Sequence, residues 1–141
     1  EDLPYPQDTF DIVHANHVFE HFKNPLKAAK EVNRVLKPGG IIFLEVPNQF
    51  DNIMFIRDRI FHRVSQRKRT LRSIHHLYFF SKKSLFKLLN SSEFKKIKIK
   101  DLYSWKAHGI RAPFSLIIRF IGLFRGGGDQ IQAWAYKRDS I

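Results

Sequence analysis

The chain has 141 residues, 43% of them hydrophobic and 14% aromatic, with 25 Lys+Arg against 13 Asp+Glu for a formal net charge of +12. This composition excludes a disordered tail and fits one globular domain that can bury roughly two-thirds of the surface its unfolded chain exposes. The absence of cysteine removes disulfide frameworks, zinc ribbons and thiol nucleophiles, and it fits a reducing, cytoplasmic setting.

Glu1 to Pro6 carries neither the basic nor the apolar region of a signal peptide, and the chain opens without an initiator Met. Phe10 to Ala15 is a short β-branched-rich run after a turn cluster, and it reads as a buried strand. Asn24-Pro25 then opens a helix. Asn24 is the expected N-cap, and Pro25 takes the first helical position, where its missing N–H costs nothing. Ala28, Ala29, Val32, Val35 and Leu36 supply the core face. Lys37-Pro38-Gly39-Gly40 ends the helix with a basic residue at the negative end of the macrodipole and glycines free to take positive φ. Ile41 to Val46 reads as a second buried strand, which makes a βαβ unit with parallel strands and a right-handed crossover.

Residues 1–50 have a net charge of −2 and residues 51–100 a net charge of +11, so nearly the whole surplus lies in the middle third. Arg57, Arg59, Arg63, Arg67, Lys68, Arg69 and Arg72 interleave with Ile53, Ile56, Ile60, Phe61 and Val64 at helical spacing. Such a helix over 53–72 serves equally as a cap facing an anionic substrate, a nucleic-acid contact, a helix on an acidic membrane surface, or a solvated face.

Ser81 is the expected N-cap of a helix carrying Leu85, Phe86, Leu88 and Leu89. From Phe94 to Leu102, Ile97, Ile99 and Leu102 point inward while Lys96, Lys98 and Lys100 point outward, the pattern of a protected sheet edge. Residues 110–125 form another apolar-basic stretch, read as helical. Its apolar part, Pro113 to Phe124, is broken by Ser115 and Arg119 and is too short to span a bilayer. The last strand, Gln130 to Lys137, puts Ile131, Ala133 and Ala135 on one face. The expected architecture is α/β, with about four strands and helices on both faces.

Taken in order, Leu3-Pro4-Tyr5-Pro6-Gln7-Asp8-Thr9-Phe10-Asp11, Glu20-His21, Asn24-Pro25, Glu31 and Arg34-Val35-Leu36-Lys37-Pro38-Gly39-Gly40 resemble the second half of class I S-adenosylmethionine-dependent methyltransferases of the type 11 group. His76 with Phe80-Ser81 and the Leu85/Leu88/Leu89 helix is similar to that family's lead-in to its sixth strand. The resemblance implies the carboxyl-terminal portion of a Rossmann-like methyltransferase fold, a mostly parallel sheet with an antiparallel last strand. It implies S-adenosylmethionine as cofactor, with Leu3 and Pro4 along the adenine and Ala15, Asn16 and His17 along the methionine part. His21 would then stand near the methyl group or the acceptor. Residues 50–80 and 103–128 would be the variable acceptor-side cover of this single domain, residues 1–141.

In an open parallel sheet, ligands bind beyond the carboxyl ends of the strands, so the loops after Ala15 and Val46 are expected to line the site. Methyl transfer from a sulfonium needs mainly orientation and an in-line approach. A base is needed when the acceptor is a hydroxyl or a protonated amine, and imidazole suits that role. His17, His21, His75 and His76 are the candidates, while His14 and His62 read as ordinary surface residues. No metal is expected, because no Asp, Glu or His cluster stands at ligand spacing.

Two features of the family pattern are missing. No glycine precedes Gly39, so the Gly-rich cofactor loop is absent, and Gly126-Gly127-Gly128 reads as a turn. Glu93 also stands before Phe94 where the family usually has Gly. The chain is therefore expected to be part of a longer methyltransferase, to leave the Phe10–Ala15 strand as an open edge, and to bind S-adenosylmethionine poorly without its amino-terminal half. Methyl transfer to a small-molecule or lipid-like acceptor is the leading expectation. The alternatives are a nucleic-acid-binding or RNA-methylating module using the 53–72 helix, and association with the membrane periphery through residues 110–124.

Overall fold

The computed structural model describes residues 2–48, 76–102, 128 and 130–139. The predicted basic helix 53–72, the apolar-basic stretch 110–125, His62 and His75 lie outside the described residues, as does most of the predicted acceptor-side cover. The elements are β1 (Phe10–Asn16), a 3-10 turn (Phe19–His21), α1 (Pro25–Val35), β2 (Leu36–Pro47), α2 (Lys82–Ser91), β3 (Lys95–Leu102) and β4 (Gln130–Tyr136). They form a four-stranded sheet of order β1-β2-β4-β3. β1 and β2 are parallel, and β4 runs antiparallel to both its neighbours, β2 and β3. Three of the four strands thus run in one direction and the last is reversed, as expected, and among the described residues β1 pairs with β2 alone along one edge.

Local chemistry starts and stops the helices where the sequence indicates. The Asn24 side chain accepts a hydrogen bond from the Lys27 N–H at 3.0 Å, and Pro25 occupies the first turn. Ser81 and Ser84 form a reciprocal capping box at the start of α2. That helix ends in a Schellman arrangement, with Phe94 N–H donating to Leu89 O and Glu93 N–H to Asn90 O, both at 3.1 Å. The residue between them in left-handed conformation is Glu93, at φ +66°. The family's glycine is absent at the position whose backbone asks for one. Phe86 of α2 is 48% exposed, while Leu85 and Leu89 are buried.

β2 is longer than its apolar run, because Leu36 already pairs with Phe10 and the register then slips before Ile12 meets Ile41. Lys37-Pro38-Gly39-Gly40 is an irregularity within the paired strand. Gly39 holds φ +74°, and a Cβ on Gly40 would lie 2.8 Å from Lys37 O and 3.1 Å from Asp11 O.

The core lies on one face of the sheet. Ile42, Leu44, Val46, Ile131, Ala133 and Ala135 are fully or almost fully buried beneath Ala28, Ala29 and Val32 of α1 and Leu85 and Leu89 of α2. Among the described residues both helices pack on this face and touch each other; the helices expected at 53–72 and 110–125 lie outside the described residues. The reason is topological. The connections β1-α1-β2 and β2-α2-β3 step in the same direction along the sheet, and crossovers of the same hand put their helices on the same side. The other face carries Ile12, which is 63% exposed, with Phe43, Trp134 and Tyr136. Lys100 lies over the Trp134 ring and Lys96 over that of Tyr136. No helix among the described residues is long and apolar enough to cross a membrane.

Candidate active site at the carboxyl ends of β1 and β2

Residues 2–8 run along α1 in the same direction and are pinned to it. Asp2 meets Lys27 at 2.8 Å, Leu3 N–H donates to Glu31 Oε1 at 3.0 Å, and the Arg34 guanidinium donates to Leu3 O at 3.3 Å and Tyr5 O at 2.8 Å. Arg34 also forks onto Glu31, Nε to Oε2 at 2.9 Å and Nη2 to Oε1 at 2.6 Å. The Arg34 hydrogen bonds, then the Leu3 N–H, hold the Glu31 carboxyl down at about 2 from its ordinary 4.5, and Glu31 raises Arg34 in return. Lys137 closes the far end on Asp8 at 2.6 Å and holds that carboxyl below its usual range. Two charges of the motif string, Glu31 and Arg34, thus act together to fix the path of Leu3 and Pro4.

At the carboxyl end of β1, Ala15 and Asn16 pair with Leu44 and Glu45. His17 follows in left-handed conformation at φ +52°, which is uncommon for a residue with a side chain although His is among the types enriched there. Its N–H donates to Glu45 O at 2.9 Å. Its ring spans two elements, with Nε2 3.1 Å from the Gln130 amide of β4 and Nδ1 3.2 Å from Glu20 Oε1.

In the 3-10 turn Phe19 is buried and packs edge-on against Phe22, and Leu77 and Tyr78 N–H donate to Glu20 O, so the segment carrying His76 covers Glu20. Glu20 is 1% exposed, and both carboxylate oxygens are buried without a hydrogen bond. Around Oε1 stand His17 Nδ1, His21 Nε2 at 3.9 Å and His76 Nε2 at 4.0 Å. The His21 and His76 rings meet edge to face with centroids 4.8 Å apart. His76, far from His21 in the chain, is brought there by the backbone: Leu77 and Tyr78 N–H both donate to Glu20 O, at 2.8 and 3.1 Å.

The structure therefore gathers three sequence candidates, His17, His21 and His76, around one carboxylate, at the carboxyl ends of β1 and β2, where open α/β sheets bind ligands. Leu3 and Pro4 are tied to α1, while Ala15, Asn16 and His17 close β1. His14 is exposed on the open face of the sheet, 3.6 Å from Glu45, in keeping with its reading as a surface residue. In the sequence Glu20 stands only as half of a motif pair, and neither Gln130 nor the Glu45–Gln132 contact at 2.6 Å is visible, whereas Asn48, expected in the loop after the second strand, is buried. Strand order supplies those neighbours, and chain spacing does not show it. Likewise, no ligand spacing along the chain betrays a metal cluster, yet Glu20, His21 and His76 each place a ligand atom within 4.8 Å of the others. A separate shallow cleft of about 310 Å³, lined by Lys95, Lys96, Tyr136 and Arg138, lies at the opposite ends of the strands, away from these groups.

Residues 1–99 match the model of a methyltransferase domain family. An uncharacterized protein of Methanocaldococcus jannaschii is 32% identical over 98 residues, 70% of this chain and 44% of that protein. The chloroplastic 2-methyl-6-phytyl-1,4-hydroquinone methyltransferase 1 of Oryza sativa is 45% identical over 47 residues, 33% of this chain and 14% of that one. Among solved structures, a SAM-dependent methyltransferase of Thermotoga maritima superposes with a TM-score of 0.66 at 18% identity, covering 97% of this chain and 60% of its own. The chain thus spans less than two-thirds of the length of each of these proteins. The family model, the sheet order with its reversed last strand, and the motif string all agree, and the chain belongs to the methyltransferase domain family.

Proposed function

We propose that the protein transfers a methyl group from S-adenosylmethionine to a small-molecule or lipid-like acceptor that meets the His17, His21 and His76 cluster. The observation that carries this reading is the convergence of those imidazoles on Glu20 at the carboxyl ends of the parallel strands. The sulfonium makes the methyl carbon electrophilic, so the protein's work is to align donor and acceptor and to take the proton of an acceptor hydroxyl or ammonium. His17, whose Nδ1 lies 3.2 Å from the buried Glu20 carboxylate, suits the second role, because the carboxylate orients the ring so that Nε2 can take the proton. The Leu3-Pro4 segment, fixed by Glu31 and Arg34, is the proposed adenine wall, and Ala15, Asn16 and His17 flank the methionine part. The hydroquinone named for the Oryza sativa relative supports a lipid-like acceptor. The nucleic-acid alternative rests on residues 53–72, and nothing among the described residues favours it.

Calorimetry on the full-length protein tests the reading. S-adenosylmethionine is expected to bind one to one with a dissociation constant of about 100 μM or tighter. His21→Ala is expected to reduce methyl transfer from the labelled cofactor while leaving cofactor affinity within about threefold. Absence of binding at about 1 mM cofactor would refute the assignment.

A further inference from the structure

We propose that Glu20, His21 and His76 form a binding site for a divalent transition-metal ion. The donor set is two imidazoles and one carboxylate, the combination found in catalytic zinc sites and in open non-haem iron(II) sites. Their ligand atoms all lie within 4.8 Å of one another, with His21 Nε2 and His76 Nε2 3.9 and 4.0 Å from Glu20 Oε1. Those separations are too long for hydrogen bonds. They are close to the spacing of two ligands on one ion, since bonds of about 2.0–2.1 Å in tetrahedral geometry put ligand atoms about 3.3 Å apart. Inward movement of less than about 1 Å by each side chain closes the site.

Glu20 supplies an independent argument. Its carboxylate is buried, and neither oxygen accepts a hydrogen bond. A buried carboxylate whose oxygens accept no hydrogen bond is costly, and a cation coordinated by Oε1 offsets that cost directly. The surroundings are already rigid in the way a metal site requires. The two backbone hydrogen bonds from Leu77 and Tyr78 to Glu20 O lock the segment carrying His76 onto the turn carrying Glu20 and His21. His17 Nδ1, 3.2 Å from Glu20 Oε1, stands where an outer partner orients a ligating carboxylate.

The test is titration of the full-length, chelator-treated protein with Co²⁺, followed by its visible ligand-field absorption, with Zn²⁺ competition to read the affinity. One ion per chain is expected, with a dissociation constant below about 100 μM. Glu20→Gln and His76→Gln should each weaken Co²⁺ binding at least tenfold, and His14→Gln should leave it unchanged. If one variant does not fold, as judged by circular dichroism, the other carries the comparison. Binding weaker than about 100 μM, or affinity indifferent to both folded variants, overturns the site. Cation binding is measured without S-adenosylmethionine, so failure here is distinct from failure of the methyl-transfer reading.

Discussion

Glu31→Gln isolates one titrating group that fixes the amino-terminal segment. In the parent, Arg34 donates two hydrogen bonds to Glu31 and Leu3 N–H donates a third, and these hold the carboxyl at about 2 against an ordinary 4.5. A folded-state value below the unfolded one means that the contribution to stability is complete above about 4.5 and is lost as the pH falls through about 2. At about 1.4 kcal/mol per pH unit the difference sets a ceiling of about 3 kcal/mol. The Glu31 side chain is 17% exposed and its Arg34 partner 36%. Solvent screening at that exposure brings the expected figure to about 1–2 kcal/mol. Urea denaturation of parent and Glu31→Gln at pH 7, 4 and 2.5 measures it. The variant should be less stable at pH 7 by that amount, and the gap should narrow steadily toward pH 2.5, because the unfolded parent takes up a proton at Glu31 below about 4.5 while the folded parent still holds the charge. A gap that stays constant over this range, or a variant as stable as the parent at pH 7, would refute the reasoning. The same variant replaces one carboxylate oxygen with an NH2 group that cannot accept from Arg34 or Leu3 N–H, so on the proposed function it should also weaken S-adenosylmethionine binding by a few-fold.

Other substitutions test the packing and the backbone. Leu44→Ala should cost about 3–5 kcal/mol in urea melts, near the top of its class, because the flanking strand residues are Ala15 and Ala133 and neither can swing into the cavity. Glu93→Gly should stabilise the chain by about 0.5–1 kcal/mol, since it relieves a left-handed backbone at the end of α2; an unchanged midpoint would contradict the strain. Gly40→Ala should cost about 1–3 kcal/mol through collision with two backbone carbonyls. Gly39→Asn should cost less than about 1 kcal/mol by the same assay, because Asn tolerates the left-handed region and its neighbour there is the flexible Asp139 side chain.

Most of what is local in this fold was legible in the sequence. Asn24-Pro25 and Ser81 start the helices they were expected to start, and the alternation of Ile131, Ala133 and Ala135 finds the core. Tertiary geometry decided the rest. The start of β2 at Leu36 depends on a pairing with Phe10 that no apolar periodicity signals, since Lys37 to Gly40 reads as a plain helix terminator. The side of the sheet that each helix covers depends on strand order, and β4 inserts between β2 and β3 although it comes last in the chain. Three of the candidate imidazoles were visible as residue types, but the group that organises them was not. Glu20 sits in a stretch of mixed polarity, and only the hydrogen bonds from Leu77 and Tyr78 turn it into the centre of the cluster.

The site owes its precision to the core beneath it more than to contacts among its own polar groups. His17 stands in a left-handed backbone, an arrangement that costs free energy and persists only where surrounding structure over-determines it. Here the determinants are the last β1–β2 pairings, the His17 N–H bond to Glu45 O, and the ring's two neighbours, Gln130 and Glu20. Each of these partners is positioned by a different element: Glu45 by β2, Gln130 by β4, and Glu20 by the 3-10 turn. Loss of sheet packing should therefore disorganise the imidazole cluster before it unfolds the chain. A core substitution milder than Leu44→Ala, such as Val46→Ala with its expected loss of about 1–3 kcal/mol, separates the two events. Native-state hydrogen exchange should then show the His17 amide losing protection more than the amides at the centre of β4. Equal loss at both would mean that the site shares the global stability of the sheet and has no separate fragility.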